Sequence, residues 1–205
     1  YIRECFGVEP VIMWSPDTFG HPVTIPTILS HAGIKNYYFS RAGRGFPWGH
    51  FVFPLFQWQG LDGSRVLAFN SGYGGPITAE RVTSVAHTFQ VTYGLFESML
   101  VYGVGDHGGG PARKDILHKK SLDLKPVIPD LIFSTTAKFF DSARNKKKSY
   151  PVVKEELNLF FEGCYTTHSD IKKANRDCEN NLLTLETFAA MAGILGKEYP
   201  EKRLE

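Results

Sequence analysis

The sequence lacks several features that would assign it to a specialised class of protein. Its 205 residues include only three cysteines, Cys5, Cys164 and Cys178, and no two of them form a CxxC pair. Three widely spaced cysteines argue against a disulfide framework or a zinc ribbon and favour a reducing compartment, so we expect a cytoplasmic location. No apolar run approaches the roughly 20 residues that span a bilayer, and we therefore expect no membrane association.

A strong net charge is also missing, because 23 Lys and Arg nearly balance 21 Asp and Glu, which leaves a formal charge of +2. This balance gives no indication of a nucleic-acid partner. Aromatic residues, in contrast, are plentiful at 14%. They suit either a thick α/β core or a site that uses rings to hold a ligand. The chain begins Tyr-Ile-Arg-Glu rather than with Met, and we expect it to be a piece of a longer protein.

Strands and helices alternate along the sequence up to about residue 135. VIMW, NYYFS and RVLAFN read as strands, and residues 24–31 and 78–92 read as helices. Two more strands are predicted over ESMLVYGVGD and DLIFS. The alternation predicts an α/β fold, an incomplete (β/α) barrel-like catalytic domain with largely parallel strands, over residues 1–165.

The pattern changes after about residue 166. From residue 171 to residue 192 the apolar residues recur at steps of three and four, which predicts a long amphipathic helix with Ser169 as its cap. We expect residues 166–205 to form the first part of a helical bundle domain.

Three polar side chains fall at the predicted carboxyl ends of strands, where α/β enzymes collect their active sites. They are Asp17 in MWSPDTFGHP, Arg41 after NYYFS, and Asp106 in YGVGDHGGGPAR. Asp17 fits two interpretations: a turn residue, since Ser-Pro-Asp is common in turns, or a nucleophile or metal ligand. The five glycines around Asp106 indicate a flexible connector, a loop that something approaches closely, or a loop that needs positive φ.

The remaining candidates are less specific. His168 precedes the long helix and could be a ligand, although a lone His more often bonds backbone or water. Trp48 and Trp58 could be core rings or sugar platforms. If the fold brought Asp17 and Asp106 together, they could form an acid/base pair, and a spacing of about 5 to 5.5 Å would indicate a retaining glycosidase.

Five stretches of the sequence resemble glycoside hydrolase family 38, the zinc-dependent α-mannosidases. In chain order they are WSPDTFGH, GIKNYYFSR, WQGLDGSRVL, YGVGDHGGGP and FEGCYTTHSDIKKANR, and they lie between about residues 7 and 195. The Gly-Asp-His-Gly-Gly-Gly loop is more similar to the bacterial and cytosolic branch of the family than to the Golgi and lysosomal branch.

The resemblance implies a role for each matching residue. Asp17 corresponds to the catalytic nucleophile that also ligates zinc, and Phe19 corresponds to a ring beside the metal. Arg41 corresponds to a cation that keeps the nucleophile ionised, since a neighbouring positive charge lowers a carboxyl pKa. Asp106 corresponds to the general acid and base. Further residues are expected to contact substrate: Trp58, His107, Tyr165 and His168.

The resemblance therefore implies a retaining α-mannosidase that acts on an α-mannoside or oligosaccharide through a covalent mannosyl-aspartate. Homo-oligomer formation is left open. The family's zinc site also uses a His-x-Asp motif before the nucleophile and a His-Asp motif after the helix, and neither occurs here. We expect this chain to hold one of four zinc ligands, Asp17. Two alternatives stay open: a metal-dependent carbohydrate deacetylase and a non-catalytic carbohydrate-binding remnant.

Overall fold

The structure is a computed structural model that describes residues 1–41, 53–105, 109–146, 149–157, 161 and 163–200. It divides into two compact units, Tyr1–Phe160 and Phe161–Glu205. The domain boundary expected at residue 165 falls inside the first helix of the second unit, α6 (Gly163–Thr166).

The first unit combines helices and strands, as the alternation predicts. In its described residues the helices are α1 (Ile2–Phe6), α2 (Ile25–His31), α3 (Ala79–Tyr93), α4 (Arg113–Leu122) and α5 (Thr136–Asn145). The strands are β1 (Ile12–Ser15), β2 (Asn36–Phe39), β3 (Leu55–Gln59), β4 (Arg65–Asn70) and β5 (Val152–Val153).

The second unit follows α6 with the helix α7 (Ser169–Ile194), which confirms the long helix expected there. Its cap, however, is His168 rather than Ser169. Among the described residues of the whole chain, no helix combines the length and apolar character needed to cross a membrane.

The strands form one sheet in the order β1-β2-β4-β3-β5. Neighbouring strands are parallel except β3 and β4, which are antiparallel. Only residues 60–64 join β3 to β4, and such a short connection makes a hairpin, whereas parallel strands need a crossover of a dozen or more residues. The largely parallel sheet is confirmed. The barrel-like closure is not, because the sheet of the described residues is open, with β1 and β5 at its edges.

Two of the expected strands are absent from the described residues. Residues 97–105 pair only through isolated bridges, Gly75 with Gly103 and Val104 with Gly110. The backbone of Gly103 has φ +121°, which a regular strand cannot continue. In DLIFS, Leu131 packs against a core cluster, but the next two side chains, Ile132 and Phe133, are 84% and 53% exposed and show no alternation of buried and exposed residues.

Aromatic side chains fill the core on both faces of the sheet. Alternate residues of β2 point to opposite faces: Tyr37 and Phe39 pack with Phe56 and Trp58, whereas Tyr38 packs with another cluster. That second cluster includes residues from β4, α3 and α5: Phe69, Phe89 and Phe140. The sheet is thus buried on both faces at β2, which fixes the ends of the strands on which the candidate site is built.

Candidate active site

Asp17 and Arg41 meet at the carboxyl ends of two neighbouring parallel strands. The last residues of β1 and β2, Ser15 and Phe39, are register partners, and Asp17 and Arg41 each follow two residues later. Arg41 Nε donates to Asp17 Oδ1 at 2.6 Å, and Arg41 Nη2 forms an ion pair with the same oxygen. The two strand-end residues singled out by sequence are therefore in direct contact.

Tyr73 completes a three-residue network that sequence reasoning missed. β4 is the other parallel neighbour of β2, with Asn70 opposite Phe39, and Tyr73 lies three residues beyond the end of β4. Its hydroxyl accepts a hydrogen bond from Arg41 Nη2 at 3.2 Å and also bonds the Asp17 carboxylate. The available signal was a tyrosine shortly after the buried strand RVLAFN.

Two aromatic rings lie against the Arg41 guanidinium. Its central carbon is 5.3 Å from the ring centroid of Phe19 and 5.8 Å from that of Tyr73. Both distances are within the range of cation–π attraction, about 6 Å. Phe19 therefore contacts the site through Arg41, whereas the position beside a metal that the family resemblance implies stays a prediction.

The network favours the ionised form of Asp17. The hydrogen bond from Tyr73 lowers the pKa of the Asp17 carboxyl; burial opposes this, and the bonds and charge of Arg41 lower it further. Burial, and then the bond to Asp17, raises the pKa of the Tyr73 phenol, so the hydroxyl stays protonated and can donate. The Asp17 side chain remains 53% exposed. An ionised, oriented and accessible carboxylate is suited to act as a nucleophile or a metal ligand.

The network opens into a cavity of about 430 Å³. Ser40 and Arg41 after β2, Gly72 and Tyr73 after β4, and Gly105 of the glycine-rich segment line it. The structure thus brings that segment to the same cavity as the strand-end residues. Asp106 and His107 lie outside the described residues, so the spacing between the two acids stays a prediction.

Close backbone contacts explain several glycines of this segment. Gly103 N donates to Gly75 O at 2.9 Å, and Gly75 N donates back to Gly103 O. A Cβ atom on Gly103 would lie 2.7 Å from the carbonyl carbon of Gly110, which no side chain could tolerate. The close approach and positive φ expected from the sequence are therefore found at Gly103, and its backbone is tied to the turn that carries Tyr73.

His21 anchors the far end of the loop that carries Asp17. It is buried, and its backbone exchanges two hydrogen bonds with Leu157 at 3.1 and 3.0 Å. Its Nδ1 bonds the hydroxyl of Tyr37 at 2.5 Å, whereas Nε2 has no hydrogen-bond partner in the described part of the chain. Burial lowers the pKa of His21 to about 4, so the ring is neutral at pH 7. The stretch SPDTFGH is fixed at both buried ends and exposes Asp17 between them.

The other sequence candidates differ in position. Trp58 is fully buried in the sheet core, where its indole N–H donates to Glu155 O at 3.0 Å, and it is therefore a core residue rather than a substrate contact. Tyr165 and His168 belong to the second unit, and His168 has a left-handed backbone, φ +52°. Their contact with substrate stays a prediction.

The described residues do not form a complete metal site. No group of three or more His, Cys, Asp or Glu side chains within them could hold an ion. A structural or catalytic zinc site needs at least three protein ligands, and the family resemblance implies only one in this chain, Asp17. Any zinc ion bound here would therefore require ligands from elsewhere.

Comparisons with known proteins agree on one family. The model of the glycosyl hydrolases family 38 N-terminal domain matches residues 1–160. The human protein "Alpha-mannosidase 2C1" is 31% identical over the whole chain, which spans 20% of that protein's length. "Alpha-mannosidase G" from Dictyostelium discoideum is 32% identical, with 19% of its length covered. "Alpha-mannosidase" from Saccharomyces cerevisiae is 30% identical, with 20% covered. The chain thus spans about one fifth of the length of these curated relatives.

A solved structure shares the fold. The chain resembles the crystal structure of an alpha-mannosidase from Enterococcus faecalis V583, with a TM-score of 0.54 over 76% of this chain and 19% of that one. The sequence identity is 17%, so this likeness bears on the fold alone. The family match, in contrast, spans the segments that carry Asp17, Arg41 and Tyr73.

Proposed function

Because the chain belongs to glycosyl hydrolases family 38, we propose that it forms part of the catalytic region of a retaining, zinc-dependent α-mannosidase. The observation that carries the proposal is the Asp17–Arg41–Tyr73 network at the opening of the cavity. The proposed substrate is a terminal α-D-mannoside, in keeping with the names of the relatives. A cavity of about 430 Å³ is within the range of small-molecule sites.

In the proposed reaction, Asp17 attacks the anomeric carbon of the mannoside. A bond forms between this carbon and a carboxylate oxygen while the bond to the leaving oxygen breaks, and a proton from Asp106 neutralises the leaving group. Water, deprotonated by Asp106, then displaces Asp17 with retained configuration. Arg41 and Tyr73 support the first step because they hold the carboxylate ionised and oriented.

Zinc dependence is a proposal from the family resemblance. Asp17 would be one ligand, and the family resemblance implies that the others lie outside this chain; the described residues do not complete a site. Zinc would supply Lewis-acid polarisation of sugar oxygens. Phe19, His107, Tyr165 and His168 stay in the proposal as substrate contacts, and Trp58 does not. A cytoplasmic location is proposed from the three cysteines, which are all free and exposed.

The test uses the intact protein that contains this chain, purified and loaded with zinc. A fluorinated α-mannosyl fluoride that forms a slowly hydrolysed ester should label a single peptide, and mass spectrometry should locate the label on Asp17. Nuclear magnetic resonance should show the α-anomer as the first product from an aryl α-mannoside. Asp17→Asn should lose at least about 10³-fold in kcat, as expected for a missing nucleophile.

Asp123→Asn is the matched control, because Asp123 is an exposed acid at the C-terminal cap of α4 that pairs only with Lys119 in the described contacts. Its activity should equal that of the wild type. A β-anomer as first product, or a label on another residue, would contradict the proposed mechanism. Release of acetate from an acetylated sugar, without release of mannose, would support the deacetylase alternative.

A further inference from the structure

Arg81 holds together two backbone segments that both reach the cavity, one at Tyr73 and one at Gly105. It lies in the first turn of α3, where its backbone N–H donates to the cap residue Thr78 at 3.2 Å. Its guanidinium donates to three backbone carbonyls, those of Gly74 at 2.9 Å, Pro76, and Val101 at 3.4 Å. None of the ion pairs between described residues includes Arg81, so its guanidinium bonds backbone carbonyls rather than an acidic side chain.

The three carbonyls belong to different parts of the chain. Gly74 and Pro76 follow Tyr73 in the turn after β4, whereas Val101 lies in the segment 97–105, which ends at Gly105. The planar guanidinium with its fixed fork of donors can bridge both segments at once. The Gly75–Gly103 bridge lies beside it, so the two segments meet at a single place.

The glycines of the turn leave room for this arrangement. A Cβ atom on Gly75 would lie 3.0 Å from Arg81 Nη1, and the backbone of Gly75 has φ +82°. A Cβ atom on Gly74 would lie 3.2 Å from the backbone nitrogen of Gly105. Only a residue without a side chain fits at these positions, so the glycines allow the backbone of the turn to lie directly against Arg81 and Gly105.

We propose that Arg81 is a positioning residue that sets the distance between the nucleophile side of the cavity, at Tyr73, and the glycine-rich side, at Gly105. This inference rests on the proposed function, in which the residue that follows Gly105 is the general acid. A retaining glycosidase needs its two carboxyl groups about 5 to 5.5 Å apart. A displacement of about 1 Å can cost about 10²-fold in rate.

The loss of Arg81 should affect the acid more than the nucleophile. Asp17 has independent supports, namely the register of β1 with β2, the bond from Arg41 and the buried anchor at His21. Gly105, in contrast, is tied to the turn through the Gly75–Gly103 bridge and the Arg81 contacts. Removal of the guanidinium takes away one of these two ties.

The experiment compares Arg81→Met with the wild type in the intact, zinc-loaded protein, on α-mannosides with different leaving groups. With a methyl or 4-methoxyphenyl leaving group, which needs protonation, kcat/KM should fall by about 10²-fold. With 2,4-dinitrophenyl, which departs without a proton, the fall should be less than about 5-fold. KM should change little for either substrate, and Arg81→Lys should recover part of the loss.

Arg65→Met is the matched control, because Arg65 is an exposed arginine of β4 whose side chain bonds only Gln59 in the described contacts. Its activity on all substrates should stay at the wild-type level. Asp106→Asn should reproduce the dependence on the leaving group in a stronger form. Circular dichroism checks that each variant is folded. If Arg81→Met does not fold, Arg81→Lys is the test variant: its kcat/KM should fall on the substrates with poor leaving groups, by less than is expected for Arg81→Met, and should fall less on the 2,4-dinitrophenyl substrate.

The outcomes separate the two proposals. Equal losses on both substrates, or no loss on either, would overturn the role of Arg81 while wild-type turnover leaves the proposed function intact. Absence of mannosidase activity in the wild-type protein would overturn both. A loss confined to poor leaving groups, restored in part by lysine, is the result that supports the inference.

Discussion

The hydroxyl of Tyr73 lies 3.2 Å from Arg41 Nη2 and also bonds the carboxylate that Arg41 holds, so a residue after β4 supports a residue after β1. The arrangement depends on the central position of β2, which has β1 on one side and β4 on the other. Loops from three adjacent parallel strands therefore converge on Asp17.

Substitution Tyr73→Phe should lower kcat in the intact protein by about 10-fold. It removes a hydrogen bond to a charged group, which typically contributes about 1.5 to 3 kcal/mol, and leaves the ring on Arg41. Steady-state kinetics on an aryl α-mannoside measures the change. Tyr150→Phe is the control: it removes the buried bond from this hydroxyl to Ala143 O, so it should lower Tm and leave kcat unchanged. Equal effects of the two variants on kcat would contradict the role of Tyr73.

Substitution Arg41→Lys should be nearly as damaging as Arg41→Met. Two nitrogens of the guanidinium, Nε and Nη2, reach Asp17 Oδ1, and Nη2 also reaches Tyr73. A lysine keeps the charge but has one ammonium group that cannot reproduce this fork. We expect kcat/KM to fall by about 10²-fold in both variants. If Arg41→Lys kept more than half of the wild-type activity, charge alone would explain the role of Arg41 and the geometric argument would fail.

Sequence patterns predicted helices and strands correctly where the local signals agreed with the fold. The helices α2 and α3 and the strands β1, β2 and β4 lie where capping, turn residues and apolar runs indicate. The contact between Asp17 and Arg41 was also foreseeable, because both follow predicted parallel strands by a similar interval. The segment 97–105 was assigned wrongly, because its glycines adopt positive φ and serve close contacts rather than a strand.

Tyr73 could not be found in this way. β4 lies beside β2 although β3 comes between them in the chain, and nothing in the order of the elements fixes that neighbour. The hairpin of β3 and β4 reverses the direction of the chain and places the end of β4 next to the end of β2. Which residue beyond β4 then reaches Arg41 depends on the turn after the strand, whose backbone pairs with Gly103, a residue distant in the sequence.

Acidification should destabilise the first unit through His21. Its pKa in the folded state is about 4, below the ordinary value of about 6.5, so between these pH values the unfolded state binds more protons. The stabilising contribution is therefore complete above about pH 6.5 and is lost as the pH falls towards 4, by at most about 3 kcal/mol. Tm measured from pH 7.5 to 4.5 should fall less steeply in His21→Gln than in the wild type. His87→Gln, at an exposed position of α3, should leave the slope unchanged.

The 205-residue chain by itself should bind zinc weakly and show no mannosidase activity. The family resemblance implies Asp17 as its one zinc ligand, and the sequence has neither a His-x-Asp motif before Asp17 nor a His-Asp motif after the long helix. One carboxylate is far short of the ligands that a zinc site requires. Isothermal titration calorimetry should give a zinc dissociation constant for this chain at least about 10³-fold larger than for the intact protein, because each missing ligand removes part of the binding free energy.

The intact protein with Asp17→Asn is the control that measures the contribution of Asp17 to zinc binding in the complete site. Clear turnover of an aryl α-mannoside by the 205 residues, or zinc binding as tight as that of the intact protein, would show that the missing ligands are not needed.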